Sequence, residues 1–441
     1  MGKQILSSDK IVRLNNYSLL GLVQSSDLAP NFGAQDINEL GRIERVDTAY
    51  ELESSGSFTL ESSGGMAGLL ARMLPTRTAS AFTGFLYSGA GASTNKNAYT
   101  ITEADVHELQ FDIVQYEQPD QANFTRSVVV PRAFPATITG RLDANGMGTE
   151  TINWQAQELY GFDTPYHDVI MTTATRTTST TATVLDTTVT SAAYTLIYVW
   201  IDEVRYRTVN TDPSYVTFAA NVITFVGGDT IPADAIVRAV AYKTTSPSTT
   251  FPQLVADQRG TVAFYIKGWQ ADMFLGVADV DNPSNTERLQ KVQSADWSID
   301  FNLQPLRQIL KNTAGTAIYC RVPTTPYVVS LTCSLYESDW AEWRKILNAD
   351  GASTPKFPTS GNDVYTDSYD WAPTNLKGSS DVPLISVLRY YTKAGNLLQS
   401  VKFSDLRMES QSDRIAVGGR AEIQLGLRGT KFEFEGANPT A

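Results

Sequence analysis

A pattern of 18 residues written twice constrains this chain more than anything else in it. The first occurrence, Ser57 to Leu74, opens as a strand with Phe58 and Leu60 on one face and Ser57, Thr59 and Glu61 on the other. Ser62 to Gly65 break the strand. Met66, Leu69, Leu70, Met73 and Leu74 then recur at helical spacing until Pro75 stops them. Ser330 to Leu347 repeats the pattern without a gap: Ser57 meets Ser330, Phe58 meets Leu331, Thr59 meets Thr332, Leu70 meets Trp343 and Met73 meets Ile346. The chain reads as one unit written twice.

The flanks extend the repeat. Phe274-Leu-Gly-Val277 resembles Leu19-Leu-Gly-Leu22, Arg288 to Ala295 lines up with Arg42 to Ala49, and Gly148 to Trp154 with Gly419 to Leu425. Ser57 to Ile152 is 95 positions and Ser330 to Ile423 is 93, whereas Arg42 to Ser57 is 15 and Arg288 to Ser330 is 42. The second copy is therefore expected to carry 27 extra residues, including a loop or hairpin from Ile309 to Pro326. In the first copy, strands are predicted over residues 10 to 23, from Arg42, and over His107 to Tyr116, Arg126 to Val130 and Thr149 to Leu159. A polar, Pro- and Gly-marked loop is predicted from Gln24 to Gly41.

Composition changes between the copies. A Thr-rich run from Thr172 to Thr181 and a second from Thr244 to Thr250 read as linkers. Between them lie closely spaced period-2 strands: Thr195 to Ile201, Val204 to Val209, Tyr215 to Phe218, Val222 to Phe225 and Ile236 to Tyr242. They predict a small all-β sandwich. The expected domains are 1-170, 171-250 and 251-441, consistent with a length of 441 residues. The fold class is mainly β with short helices.

Charge and residue inventory exclude several functions. A formal net charge of -12 argues against a basic footprint for gripping nucleic acid. No apolar run approaches the roughly 18 residues that span a membrane. The first ten residues lack the apolar core of a signal peptide, so folding in a cytoplasm is expected, with Cys320 and Cys333 reduced. With only His107 and His167, histidine-based metal sites and Ser-His-Asp machinery have no material to work with. Gly89-Ala-Gly91 lacks the third glycine of a dinucleotide loop. Asp279-Val-Asp281-Asn-Pro283 lacks the later ligands of a calcium loop. No catalytic residue, metal or cofactor is expected. Asp363 to Trp371 instead reads as a loop whose Tyr365, Tyr369 and Trp371 pack on a neighbouring subunit, and Leu28 and Phe32 are further subunit-interface candidates.

A strand, a short amphipathic helix and then paired strands, with a long loop ahead of the helix-bearing unit, is similar to the phage tail tube (major tail) protein family. Two such units resemble its duplicated-domain siphophage-type subset, and the middle module looks like an immunoglobulin-like decoration. The resemblance covers residues 10 to 165 and 258 to 436. It implies a virion protein assembled in the host cytoplasm, with three chains giving a pseudo-sixfold ring. Stacked rings would surround an acidic lumen through which DNA passes without specific binding. It further implies contacts with itself, with tape measure and tail terminator proteins, and with distal tail or baseplate proteins. The long loops Gln24 to Gly41 and Ile309 to Pro326 would bridge rings. The rival readings are another virion or baseplate component and a β-rich carbohydrate-binding adhesin.

Overall fold

A computed structural model of the chain describes residues 10–14, 17–18, 23–37, 47–61, 66, 70, 80–81, 97–102, 109, 111–117, 126–156, 159–162, 169–201, 204–207, 215–227, 230–235, 237–243, 267–277, 288–289, 291–308, 318–323, 327–336, 383–391, 393, 395, 397–414 and 422–437. The fold is mainly β. The first ten strands are β1 (Lys10–Leu14), β2 (Tyr17–Ser18), β3 (Val23–Ile37), β4 (Asp47–Glu61), β5 (Ser80–Ala81), β6 (Asn97–Thr102), β7 (Phe111–Glu117), β8 (Arg126–Asp143), β9 (Thr149–Ala156) and β10 (Tyr160–Phe162). Seven follow: β11 (Val169–Arg176), β12 (Thr181–Val184), β13 (Tyr194–Ile201), β14 (Val204–Arg207), β15 (Tyr215–Ala219), β16 (Val222–Val226) and β17 (Val237–Lys243). The last nine are β18 (Ala271–Val277), β19 (Val292–Asp300), β20 (Leu303–Gln308), β21 (Ile318–Pro323), β22 (Val328–Tyr336), β23 (Leu384–Tyr391), β24 (Leu397–Arg414), β25 (Glu422–Gly429) and β26 (Lys431–Ala437).

The same antiparallel pairings occur twice in the same chain order. β1·β7, β7·β8, β8·β10, β8·β9, β9·β4 and β4·β3 recur as β18·β23, β23·β24, β24·β26, β24·β25, β25·β22 and β22·β19. The pivots are β8 and β24, each 18 residues long. Each crosses from one sheet into another. β8 pairs with β7 up to Ala133 and with β9 from Phe134; β24 pairs with β23 up to Leu406 and with β25 from Arg407. At these crossings Arg132 and Asp405 take positive φ (56° and 54°), the local cost of redirecting a strand.

The inner sheet runs β3-β4-β9-β8-β19-β22-β25-β24, continuous because β8 pairs with β19. Its strands alternate, buried on one face and part-exposed on the other, as in β9 and β22. Phe58, Ile152, Trp154, Ile138, Trp297, Ile299, Leu331 and Leu427 face one core shared by both halves, with Phe403, Phe432 and Phe434 on the opposing sheet. Trp297 makes tilted and edge contacts with Phe403 and Phe434 at 5.8 and 5.5 Å. Met66 and Leu70, four apart, are helical and buried. The remainder of that predicted helix, and its echo at 337 to 347, fall outside the described residues.

The structure corrects several expectations. Gln24 to Gly41 is not a loop through to its end: Val23–Ile37 is β3, which forms a long hairpin with β4. In the second copy the same hairpin is broken in two, β19·β22 and β20·β21. The break lies at Asn302, where φ is 46° and the backbone N–H donates to Asp300 Oδ1 at 2.9 Å. β19 therefore corresponds to β3 and not to the start of β4, and the 27-residue insertion disappears. Phe58 pairs with Ile152 and Leu331 with Leu427, so the partner of Ile152 in the repeat is Leu427, four residues beyond Ile423. An even shift keeps the buried face, which is why the pattern concealed it.

The Thr-rich run at 172 to 181 is a hairpin of β11 and β12 rather than a linker, and β11 begins at Val169, ahead of the expected boundary. Threonine is β-branched and favours strands. Thr177 and Thr183, and Thr178 and Thr181, also share hydroxyl hydrogen bonds of 2.7 and 2.6 Å. β11 to β17 close into a barrel with its own core, including Val184, Leu196, Val199, Ile223 and Phe225. The immunoglobulin-like expectation is not met in its pairing. That arrangement joins the second strand to the fifth and the third to the sixth. Here the second joins the sixth and the third the seventh, and a parallel bridge, Arg207↔Tyr215, completes the closure. On β17, Arg238 reaches Asp112 of β7 at 3.7 Å, both side chains about nine-tenths buried, and ties the barrel to the first half.

Candidate assembly surface

The seam between the halves is a built sheet junction. β8 and β19 pair from Asp143↔Ser294 to Thr137↔Asp300, with Ile138 opposite Ile299, both 0 % exposed. Among the described residues the two ends of the inner sheet pair on one side only: β3 with β4, and the 407–414 half of β24 with β25. These ends correspond to the strands already joined at the seam, β3 to β19 and β24 to β8. Carrying the seam's register onto them places Leu28 opposite Met408 and Asp27 opposite Ser410. Leu28 and Met408 are both half-buried against the core edge, where Ile299 and Ile138 are fully covered. Asp27 and Ser410 are exposed.

The face turned away from the core is polar and made largely of small side chains. Thr59 and Thr151 share a hydroxyl hydrogen bond of 3.2 Å, and Asn153 Nδ2 donates to Thr137 Oγ1 at 2.6 Å. Its described charges are Asp27, Asp143, Asp296, Asp300, Glu409 and Glu422 against Arg141, Arg407 and Arg428, a net of three negative. The arginines are partly neutralised locally: Arg141 lies 3.3 Å from Asp143 and 3.7 Å from Asp296, and Arg428 3.5 Å from Glu409. Burial raises the Asp296 carboxyl above its ordinary range, Arg141 opposing and Asp143 adding to the shift.

The same edge of the sheet carries both long hairpins. Beyond Ser54, where β9 ends, β3 and β4 continue as a two-stranded arm from Asn31↔Glu53 to Ile37↔Asp47. β20 and β21 leave the sheet at the same rim, past Asp300 and Val328. At ~3.4 Å per residue the first arm reaches roughly 20 Å past the sheet.

Inside the seam sits a buried polar cluster contributed by both halves. Glu150 on β9, 2 % exposed, accepts a hydrogen bond from Gln399 Nε2 of β24 at 3.2 Å. Burial pushes its carboxyl up to about 7, against the lowering effect of Gln399. Trp297 Nε1 donates to the Tyr390 hydroxyl at 3.4 Å. Tyr390 is itself raised by burial and then by the Glu150 charge, with Trp297 opposing. The Trp297 indole lies across Gly140, on β8 opposite Glu150, and a Cβ at Gly140 would overlap the ring.

Sequence reasoning placed only some of this. Leu28 lies on the free edge strand. Phe32 lies on the arm of β3 opposite Leu52, and its side chain is outside the described set, as are Tyr365, Tyr369, Trp371, His107, His167 and the Asp279–Pro283 run. Cys333 is a free, buried thiol pushed up to about 12 by desolvation, too poorly ionised to act as a nucleophile. Among the described residues no group of three or more His, Cys, Asp or Glu could hold a metal, and no helix is long and apolar enough to cross a membrane. A cleft of about 340 Å³ beside β18 and β19 is lined by Leu142, Met273, Asp272, Arg288, Lys291 and Gln293, among others, with no His or Cys among the described residues of its wall. The missed feature was Glu150, although its spacing puts it in phase with Ile152 and Trp154 on the buried face.

No protein-family model matches the chain, and no curated protein matches it. Among solved structures, the cryo-EM structure of the anti-feeding prophage cap (a tube terminating cap) is similar over 40% of this chain and 94% of its own, at 14% identity and a TM-score of 0.25. The crystal structure of an Hcp protein is similar over 37% of this chain and 96% of its own, at 12% identity and a TM-score of 0.16. Likenesses of this strength do not establish a common fold.

Proposed function

We propose that the chain is a structural subunit of a phage tail tube, with two tandem copies of one domain (1–168 and 251–441) and the barrel inserted between them. The observation that carries the reading is the in-chain seam. β8 and β19 join one half to the other, while their counterparts, β3 and the 407–414 half of β24, each pair on one side only among the described residues. Free strand edges demand partners. The partner already matched to each edge is the opposite edge of another copy. Repeating the seam gives a heterologous contact, which closes into a ring when the rotation divides the circle. Three chains supply six units.

The core side of the inner sheet is backed by the second sheets, so the polar face turns inward and lines the lumen. A surface of Ser, Thr and Asn with a small negative excess lets a polyanion slide rather than adhere. The two arms, projecting from one rim, reach the next ring. Tape measure, terminator and distal tail proteins would meet the ends of the stack. The role is structural and not catalytic, the site of action the virion tail.

The test is a disulfide across the proposed joint. Asp27→Cys with Ser410→Cys, in a Cys320→Ala, Cys333→Ala background, is expected to give linked dimers and trimers on oxidation and rings in negative stain. Monodisperse monomer that forms no intermolecular disulfide at assembly concentrations sinks the reading.

A further inference from the structure

We propose that the buried Glu150–Gln399–Tyr390–Trp297 cluster, with Gly140 beneath it, marks the joint inside a chain as different from the joint between chains, so that a first half always takes a second half as its neighbour. The inference rests on the ring reading above and adds to it the rule that orders the ring.

A ring of duplicated units faces a problem that a ring of identical ones does not. The two halves share the same strand pairings, so β24 of another copy could take the place of β8 against β19, and second halves would pair with second halves. The cluster opposes this exchange in two ways. Gly140 lies opposite Glu150, and the corresponding β24 residue, opposite Leu425, is Gln411. Trp297 lies across Gly140 closely enough that a Cβ there overlaps the indole, so Gln411 in that place collides with it. The exchange also puts Leu425 where Glu150 stands, and removes the carboxyl that accepts from Gln399 Nε2 at 3.2 Å.

The correct joint between chains has neither conflict. The β3 residue corresponding to Trp297 is Ser26, an exposed small side chain that leaves room for Gln411. The remaining wrong joint, β8 against β3 of another copy, sets Ser26 beside Gly140. It leaves a void where the indole belongs and separates Glu150 from Gln399. Discrimination thus uses overlap in one wrong pairing and loss of filling and hydrogen bonding in the other, which is how specificity between near-identical partners is secured.

The experiment reads which joints form. Cysteine pairs on the polar face, away from the cluster, report each one: Asp27→Cys with Ser410→Cys for the correct joint between chains, and Ser298→Cys with Ser410→Cys for the wrong one. In the otherwise native full chain only the first should crosslink between molecules. Two variants relax the code. Glu150→Leu with Gln399→Leu replaces the polar pair by apolar residues of similar size. Adding Trp297→Val removes the overlap as well, and circular dichroism identifies which variants retain the β fold. The ratio of wrong to correct crosslink is expected to rise about tenfold or more in a folded variant, the effect of losing one buried polar discrimination. An unchanged ratio overturns the proposal, as does a native protein that forms the wrong crosslink as readily as the correct one. Absence of the correct crosslink throughout overturns the ring reading itself, and this inference with it.

Discussion

Replacing Glu150 by Gln should make the protein more stable above neutral pH and change it much less in mild acid. The carboxyl has an ordinary value of 4.5 and is pushed up to about 7 by complete burial. Gln399 from β24 faces it directly, Tyr390 on β23 lies within electrostatic reach, and Trp297 on β19 holds the Tyr390 hydroxyl. A folded-state value above the unfolded one means that the native protein keeps this proton longer. Stability therefore falls as pH rises between about 4.5 and about 7, and stays lowered above. A rise of two to three units corresponds to roughly 3 kcal/mol. Glutamine is neutral throughout, nearly isosteric, and its carbonyl oxygen can still accept from Gln399. The variant should thus lack this part of the pH dependence. Urea denaturation of both proteins at pH 5, 6, 7 and 8, followed by tryptophan fluorescence, isolates the group, because all other titrations are common to the two. The stability difference should grow from about 1 kcal/mol at pH 5 to about 3 kcal/mol at pH 8 in favour of the variant. A difference that does not change with pH, or a variant weaker than wild type at pH 8, refutes the assignment of a buried, uncompensated carboxyl.

Two further substitutions test the packing around the pivots. Gly140→Ala forces a methyl group into the Trp297 indole and should cost about 1–3 kcal/mol in urea unfolding, whereas a ring that can slide aside would leave stability unchanged. Asp112→Ala deprives the buried Arg238 of a carboxylate 3.7 Å away and the Arg132 N–H of its acceptor at 2.9 Å, and should cost about 3–5 kcal/mol. Limited proteolysis should then release the barrel more readily than from wild type.

Much of the strand content was legible because half-buried strands alternate. β13 to β17 fall within a residue or two of their predicted limits, β9 starts at its predicted Thr149 and ends three residues before Leu159, and Phe58 and Leu331 occupy the same buried position in their ladders. What failed had physical causes. β3 reads Val-Gln-Ser-Ser-Asp-Leu-Ala-Pro-Asn-Phe-Gly-Ala-Gln-Asp-Ile, and about half of it pairs with the stretch of β4 that lies beyond β9, where no third strand imposes an alternating pattern. β8 was legible only as Arg126 to Val130, because Pro131 and Pro135 punctuate the place where the strand leaves one sheet for the next. The barrel's closure, like the β8·β19 seam, joins residues far apart in sequence, and no local pattern encodes such pairings. Leu28 was read as an interface residue in a loop, and it lies on a free edge strand. Glu150 was overlooked even though a carboxylate in phase with Ile152 and Trp154 is itself a signal, since an acid on a core face needs a partner.

The unequal treatment of the two joints follows from where the linker lies. Within a chain the barrel and its flanking segments tether the halves, so the β8·β19 junction forms at high effective concentration and can afford to bury a polar cluster. Between chains no tether exists, and the corresponding positions, Ser26, Leu28, Met408 and Gln411, include no aromatic anchor or buried acid. A contact of that kind would acquire its strength through closure of the proposed ring, when every unit is held on both sides. In the proposed ring the in-chain joint would fix the geometry of the repeat and the joint between chains would propagate it. On this argument, weakening Leu28 or Met408 shifts the concentration at which rings appear, whereas disturbing Glu150, Gly140 or Trp297 changes which rings can appear at all.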